Sequence, residues 1–469
     1  MPLLTRTLIK GPLMFSVNSG FKALPFVVVS ERSPMRIVRI TLILIFGMIW
    51  LLSSGADAQS AIASSSNISV DDQASDFAVL AQNGLSVPWM QLAKLSESDG
   101  LSNDWFGNSA AISGNTVVVG LAGYPARNGV YLFEKPASGW RDMTQVAELT
   151  PSDGPLLEFG TSVAVDGDTV VVSGYGYHNN GLEGAAYLYV KPSTGWASMT
   201  ETARLSNSSY PLLSPPVAIS GDTVLIADAN TSAPAFVYVK PAAGWQTVSV
   251  PNATLVTPFG YSATSMAISR NGTVVLGVGV FWQEGSAYVF LKPQGGWNGN
   301  IKPVAQLVAS DPTYFLGRSV AIDKKGHTVV AGAENGCEFC NEGAVYVFVR
   351  PSRGWVNMRQ TAKFKPRDNL TFGASVAISD SGQTIVAGAP IVNVGTNQFQ
   401  GAVYVFQKPK SGWKSTRKFG SELTASDGAP NDELGSAVGI SGNAILAGAP
   451  YAMIGSNAQQ GAAYVFGQQ

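Results

Sequence analysis

The sequence predicts an all-β fold, a seven-bladed β-propeller of four-stranded blades, and three observations carry that expectation. The dipeptide Gly-Trp recurs with its tryptophan at Trp140, Trp196, Trp245, Trp297, Trp355 and Trp413. Each copy follows a Lys-Pro or Arg-Pro pair, such as Lys135-Pro136 or Arg350-Pro351, and each pair follows an alternating apolar run such as Gly401-Ala402-Val403-Tyr404-Val405-Phe406. A continuous apolar run comes earlier in every unit, from Val117-Val118-Val119 in the first to Ile445-Leu446 in the seventh. Self-similarity at a period of roughly fifty residues is the mark of a repeat architecture.

Each unit reads as four strands. The first carries small residues, as in Ser-Val-Ala-Ile, which suits crowding near a central axis. A tight turn follows, with Ser113-Gly114-Asn115 and Asp166-Gly167-Asp168 supplying residues that tolerate positive φ. The second strand is apolar throughout, as expected when both faces are covered. The third alternates and ends at proline, which has no N–H to continue a ladder. The fourth is short and charged, as in Ala147-Glu148-Leu149 and Ala362-Lys363-Phe364, which suits an outer edge. The last unit stops after its third strand, while an orphan fourth-type strand, Trp89 to Leu95, precedes the first. The orphan is therefore expected to pair with the terminal strand and close the ring. Four strands in each of seven units make a propeller over residues 88–469.

Composition agrees with this reading. There are 51 glycines among 469 residues, and only 13% of residues are charged. Net charge is −1 and the chain shows no segment rich in Lys or Arg, so no nucleic-acid partner is expected. Residues 1–58 read as a signal region. Arg36 and Arg39 precede an apolar run from Ile40 to Leu52, and Ala56-Asp57-Ala58 fits a small-residue cleavage site after Ala58. Met35 is an alternative start. The run is shorter than the ~20 residues of a spanning helix, so no membrane span is expected after cleavage; an uncleaved anchor is the other reading. Residues 59–87 read as a flexible linker. A secreted, cell-surface or periplasmic monomer is expected.

The units resemble the FG-GAP repeat, the unit of the integrin α-subunit N-terminal propeller. The best copy runs Phe372-Gly373-Ala374-Ser375-Val376-Ala377-Ile378, then Ile385-Val386-Ala387-Gly388-Ala389-Pro390, then Gly401 to Phe406. Phe106-Gly107, Phe159-Gly160, Leu316-Gly317 and Leu434-Gly435 mark other units, and units three and four have lost the pair. The resemblance implies calcium binding through an Asp-rich loop between the first two strands. That loop is here a tight turn with at most two aspartates, Asp166 and Asp168, too few oxygens for Ca²⁺. No cofactor and no metal site is therefore expected.

Candidate chemistry is sparse. Gly-x-Ser-x-Ala around Ser109, Ser162, Ser319 and Ser375 echoes a nucleophile elbow, but its recurrence inside a strand points to packing. Cys337 and Cys340 read as a local disulfide in an exported chain, with free thiols or half of an intermolecular metal site as the other readings. His178 and His327 fall in connections on opposite faces and cannot share a site. Asp99, Asp153, Asp311, Asp368 and Asp427 recur before the first strands; they read as turn caps, or as an acidic ring that could hold a cation. No carboxylate pair stands apart from the repeat, so no catalysis is expected. The better lead is the face shared by the second-to-third and fourth-to-first connections. It carries aromatics outside the repeat pattern: Trp105, Tyr124, Tyr175, Tyr177, Phe281, Trp282 and Tyr451. Such residues suit sugar stacking or a protein contact. The expected function is an adhesion or binding module for an extracellular protein or glycan. A structural envelope protein without a ligand and, behind it, a carbohydrate-active propeller enzyme are the alternatives.

Overall fold

The computed structural model describes the backbone of residues 7–15 and 22–30, and residues 88–468 apart from 123–128, 155, 157, 179–180, 210–211, 213–215, 228–234, 259–261, 280–283, 312, 335–342 and 367–370; residues 177–178 and 181–182 are described as backbone only. Residues 1–79 and 80–469 form two compact units. In the first, Thr7–Phe15 and Lys22–Ser30 pair as an antiparallel hairpin, within the stretch that the sequence reading assigns to the signal region. The apolar run at 40–52, the cleavage site and the linker lie outside the described residues.

The second unit is the expected propeller of seven small sheets. Within each blade, strands one to four pair in order and antiparallel. Blade 6 is an example, built from Val376–Ile378, Thr384–Ala389, Ala402–Gln407 and Ser421–Leu423. First strands pack beside one another in chain order, and the seventh, Val438–Ser441, returns to the first, Ser109–Ser113. The orphan strand, Met90–Ser96, pairs antiparallel with Ala462–Gly467 and completes blade 7. Closure proceeds as the sequence predicts, because it saturates the two edges that the phase of the repeat leaves open.

The core lies between blades. Val118, Leu132 and Leu149 of blade 1 meet Val170, Tyr187 and Trp196 of blade 2. Alternate residues of blade 1, Val117, Val119 and Phe133, turn instead to Leu446 and Val465 of blade 7. A second strand covered on both faces must be apolar at every position. Each Gly-Trp tryptophan packs between its own blade and the preceding one, as Trp196, Trp245 and Trp355 do. Burying such a side chain contributes about 1.5–3 kcal/mol. Among the described residues the cluster between blades 6 and 7 has no such tryptophan, and Trp89 packs there half-buried.

The serine of the Gly-x-Ser-x-Ala pattern stitches neighbouring blades. Ser109 Oγ donates to the Gly160 carbonyl at 2.5 Å, Ser319 to Gly373 at 2.9 Å and Ser375 to Gly435 at 2.7 Å. Ser265 does the same to Gly317 at 2.8 Å, a copy that the pattern search passed over. Ser162 differs, accepting from the Val217 N–H at 3.1 Å. All five serve the joint between blades.

One feature exceeds the expected four strands. The connector after the third strand crosses to the preceding blade and adds a short parallel edge strand there. Met143–Thr144 joins Met90–Ser96, Met199–Thr200 joins Ala147–Thr150, Gly299–Ile301 joins Ala253–Leu255, and Met358–Arg359 joins Ala305–Val308. Single bridges, Leu205 to Val248 and Phe364 to Thr416, do this for blades 2 and 5. Polar side chains anchor the crossing: Asp142 accepts from the Lys94 N–H at 2.7 Å and Asn357 from the Gln306 N–H at 2.8 Å.

Candidate functional site

The aspartates before the first strands do not ring the channel. Asp427 accepts from the Tyr464 hydroxyl at 3.0 Å and pairs with Lys94 at 2.5 Å. Asp311 repeats this with Tyr346 and Lys363, and Asp153 with Tyr187 and Arg204. Asp99 bonds Tyr131 at 3.2 Å. The tyrosines stand on third strands and the cations on fourth strands, so these clamps occupy the outer half of each blade. That placement rules the described members out as a cation ring at the channel mouth. Asp368 lies outside the described residues.

Burial alone would raise the Asp427 carboxyl, but hydrogen bonds from Lys94 and Tyr464 outweigh it and hold the group below its ordinary 3.8. A depressed folded-state pKa stabilises the fold above the unfolded value, and that stability is lost as pH falls through the folded one. The melting temperature of the native protein is therefore expected to exceed that of Asp427→Asn by about 2 °C or more at pH 7. The gap should close as pH falls below 3.8, as thermal melts at both pH values would show. A gap independent of pH would contradict the clamp.

The first-to-second turns are also internally spent. Asp166 accepts from the Gly221 N–H of the next blade at 2.6 Å, and Ser113 from that of Gly167 at 3.1 Å. Among the described residues no group of three or more His, Cys, Asp or Glu is placed to hold a metal. His327 lies exposed in a first-to-second turn, while His178 ends the second strand of blade 2, Thr169–His178, at the opposite end of a blade. Cys337 and Cys340 lie outside the described residues.

On the loop face the structure joins two of the expected aromatics. Trp105 of blade 1 and Tyr451 of blade 7 meet edge to face, with ring centroids 5.7 Å apart and planes at 72°. Both are half-buried. The Trp105 indole N–H donates to Gln459 Oε1 at 3.3 Å. The junction arises because, at blades 1 and 7, the connection leading into the first strand zips onto the second-to-third connection of the blade before. Trp105 and Phe106 donate from their backbones to Gln459 and Gln460, and Glu433 and Leu434 donate to Phe399 and Gln400 in the same register one blade earlier. The residue preceding the Phe-Gly or Leu-Gly pair adopts a left-handed backbone at Trp105 (φ 52°), Glu158 (φ 50°) and Glu433 (φ 58°). For a bulky side chain that is an unusual conformation.

Blades 7, 1 and 2 thus present Glu433, Trp105 and Glu158 at one repeat position. Burial raises the Glu433 carboxyl above its ordinary value, with Glu334 adding to the effect. Burial likewise raises the Tyr451 hydroxyl, helped by the charge of Glu433. Tyr175 donates to Glu158 Oε1 at 3.2 Å. Tyr175 and Tyr177 are strand residues of a long hairpin, Thr169–His178 with Gly181–Val190, and not loop residues as the sequence reading has them. Tyr124, Phe281 and Trp282, and the side chain of Tyr177, lie outside the described residues. The sequence reading missed Glu433, Glu158 and Gln459. Aligning the units on their Phe-Gly pairs would have placed the first two beside Trp105, since all three immediately precede the pair.

Three stretches of the chain, residues 89–133, 143–189 and 419–466, match the family model of the FG-GAP repeat. Each stretch starts within four residues before a fourth strand and ends in the next blade's third, the phase in which this ring is closed. No curated protein matches the chain. Among solved structures, the chain is similar to hydrazine synthase from Kuenenia stuttgartiensis, with 13% identity, TM-score 0.49 and coverage of 75% of this chain and 93% of that one. It is similar also to a periplasmic gluconolactonase from Pseudomonas aeruginosa, with 14% identity, TM-score 0.47 and coverage of 69% and 86%. A putative 6-phosphogluconolactonase from Bacteroides uniformis gives 11% identity, TM-score 0.47 and coverage of 68% and 85%. Likeness at this level carries no argument about activity. Among the described residues no helix is long and apolar enough to cross a membrane.

Proposed function

We propose that this propeller of FG-GAP repeats is an exported, non-catalytic binding module that holds a neutral glycan on its loop face. The observation that carries the reading is the Trp105–Tyr451 pair, half-exposed at the joint where the ring closes and flanked by Gln459 and the carboxylate of Glu433. An aromatic face accepts the C–H side of a sugar, and nearby carboxylate and amide oxygens accept its hydroxyls. Both rings sit on connections zipped to a neighbouring blade, so little ordering entropy is lost on binding.

A glycan array tests the reading. Binding of a neutral oligosaccharide should weaken about tenfold or more in Trp105→Ala, and similarly in Tyr451→Ala. Unchanged binding in both variants would remove the site. Capture of a protein in place of any glycan, with the same sensitivity, would assign the face to a protein partner. One observation favours a second reading: Glu433, whose carboxyl burial raises, stands beside Tyr451 of the aromatic pair, where a general acid would be placed. Release of new reducing ends from a bound glycan, abolished by Glu433→Gln, would make the protein an enzyme; binding without cleavage would support the module.

A further inference from the structure

The near-neutral charge of the whole chain conceals a local excess. The connector after the third strand of blade 6 carries Lys408, Lys410, Lys414, Arg417 and Lys418 within eleven residues and no acid. The expectation that no segment concentrates Lys or Arg fails here, because a net charge of −1 averages over positions that lie far apart. Among the described residues none of these five cations forms an ion pair, whereas Lys94, Lys191, Lys324 and Lys363 all do. The connector is also fixed in place. Thr416 bridges to Phe364, the Thr416 N–H donates to the Lys363 carbonyl at 3.0 Å, and Ser415 Oγ accepts from the Lys363 N–H at 3.0 Å. Thr416 Oγ1 accepts from the Lys418 N–H at 2.9 Å.

Beside this connector a groove of about 390 Å³ opens at the outer rim between blades 5 and 6. Phe364 and Phe406 are stacked in its wall with centroids 4.4 Å apart, and Trp413 leans on Phe364 at 5.6 Å. Phe419 lines it with 40% of its surface exposed. Lys414 and Lys418 complete the lining. Trp413 is 5% exposed and its indole N–H has no hydrogen-bond partner, whereas that of Trp355, at the same repeat position, donates to the Gly326 carbonyl. The indoles of Trp196, Trp245 and Trp297 are unpartnered as well, but at Trp413 the orphaned donor coincides with a groove and unpaired cations.

We propose that this rim groove is a second binding site, for a linear polysaccharide bearing carboxylate or sulfate groups. The anions would lie against Lys414, Arg417 and Lys418, and a sugar face would rest on Phe419. The loop face suits such a chain poorly, since Glu433 beside the aromatic pair would repel it. A concave groove fits a narrow chain and not a flat bilayer. A nucleic acid would need stacking platforms for successive bases, and Phe364 and Phe406 are 1% and 3% exposed.

The test measures binding of the protein to heparin, polygalacturonate, neutral dextran, single-stranded DNA, and vesicles of phosphatidylcholine with phosphatidylserine. Heparin (the sulfate arm) or polygalacturonate (the carboxylate arm) should bind, and less well as salt rises. Lys414→Ala with Lys418→Ala should weaken that binding about tenfold or more. Phe419→Ala, which removes the exposed ring of the groove, should weaken it about threefold. Trp105→Ala should leave it unchanged, which separates this site from the loop face. Equal loss in a control pair elsewhere, Lys302→Ala with Lys325→Ala, would reduce the effect to net charge and overturn the proposal. Binding to neither acidic glycan, or to DNA or vesicles alone, would overturn it too.

Discussion

A chain shortened to begin at Glu97 is expected to melt at least about 10 °C below one beginning at Leu80, or to aggregate instead of folding. The difference between the two is the strand Met90–Ser96 with the short stretch before it. Ala93 and Leu95 in that strand are 1% and 0% exposed, and Leu95 belongs to the cluster joining blades 7 and 1. Its loss would strip the edge of Ala462–Gly467, whose residues are buried throughout, and leave a flat apolar edge of the kind that recruits other chains. The Lys94–Asp427 clamp, the Gln91–Ser426 bond and the anchorage of Met143–Thr144 would go with it. Calorimetry with light scattering reads the result. Leu95→Asp in the full chain separates loss of the strand from loss of what precedes it, and should cost about 3 kcal/mol or more by burying an unpaired charge. A shortened protein melting within about 2 °C of its parent would mean that the ring holds without closure.

The second large effect concerns one methyl group. Gly388→Ala is expected to destabilise the protein by about 3 kcal/mol, and Gly354→Ala by about 1 kcal/mol. The two glycines fail for different reasons. Gly388 has an ordinary backbone, but a Cβ there would collide with the carbonyl oxygen of Gly435 in the next blade and with Ser375 Oγ. That carbonyl already accepts from Ser375, so neither partner can retreat without breaking the stitch between blades. Gly354 stands at φ 101° with nothing within 4 Å of its missing Cβ, so only backbone strain opposes a side chain. Denaturant midpoints for both variants distinguish the causes. Similar costs would mean that blades can separate slightly at little expense. The same crowding recurs at Gly120, Gly277, Gly332 and Gly448, each facing the carbonyl of a Phe-Gly or Leu-Gly glycine in the next blade.

The parts of this fold that are local were legible in the sequence. Strand order, turn residues and the closing strand depend on patterns a few residues long and on counting copies. Contacts between units were not legible, because each couples residues about fifty positions apart through geometry that no single unit displays. The fifth edge strand is the clearest case: Met358-Arg359 carries no strand signal of its own and exists only because Ala305–Val308 offers an edge. The Asp427–Tyr464–Lys94 clamp is another, with its three members drawn from three separate stretches of chain. The loop face was half legible. Trp105 and Tyr451 stood out as aromatics that break the repeat, whereas Glu433 looked like an ordinary surface acid until the register set it beside them. The basic connector at 408–418 was in plain view and was lost by averaging charge over the whole chain.

The closing strand has a consequence in time. Met90–Ser96 is the first strand of the propeller to be synthesised, and its partner, Ala462–Gly467, is the last. Blade 7 cannot form until every other strand of the propeller has been made, and contacts between such distant segments are the slowest to gather. Throughout that interval an apolar strand waits without a partner, exposed to any other edge it meets. A chain threaded unfolded across a membrane and released at once on the far side would spend that interval apart from its copies. Ring closure thus makes the last strand of the propeller the trigger that locks every blade.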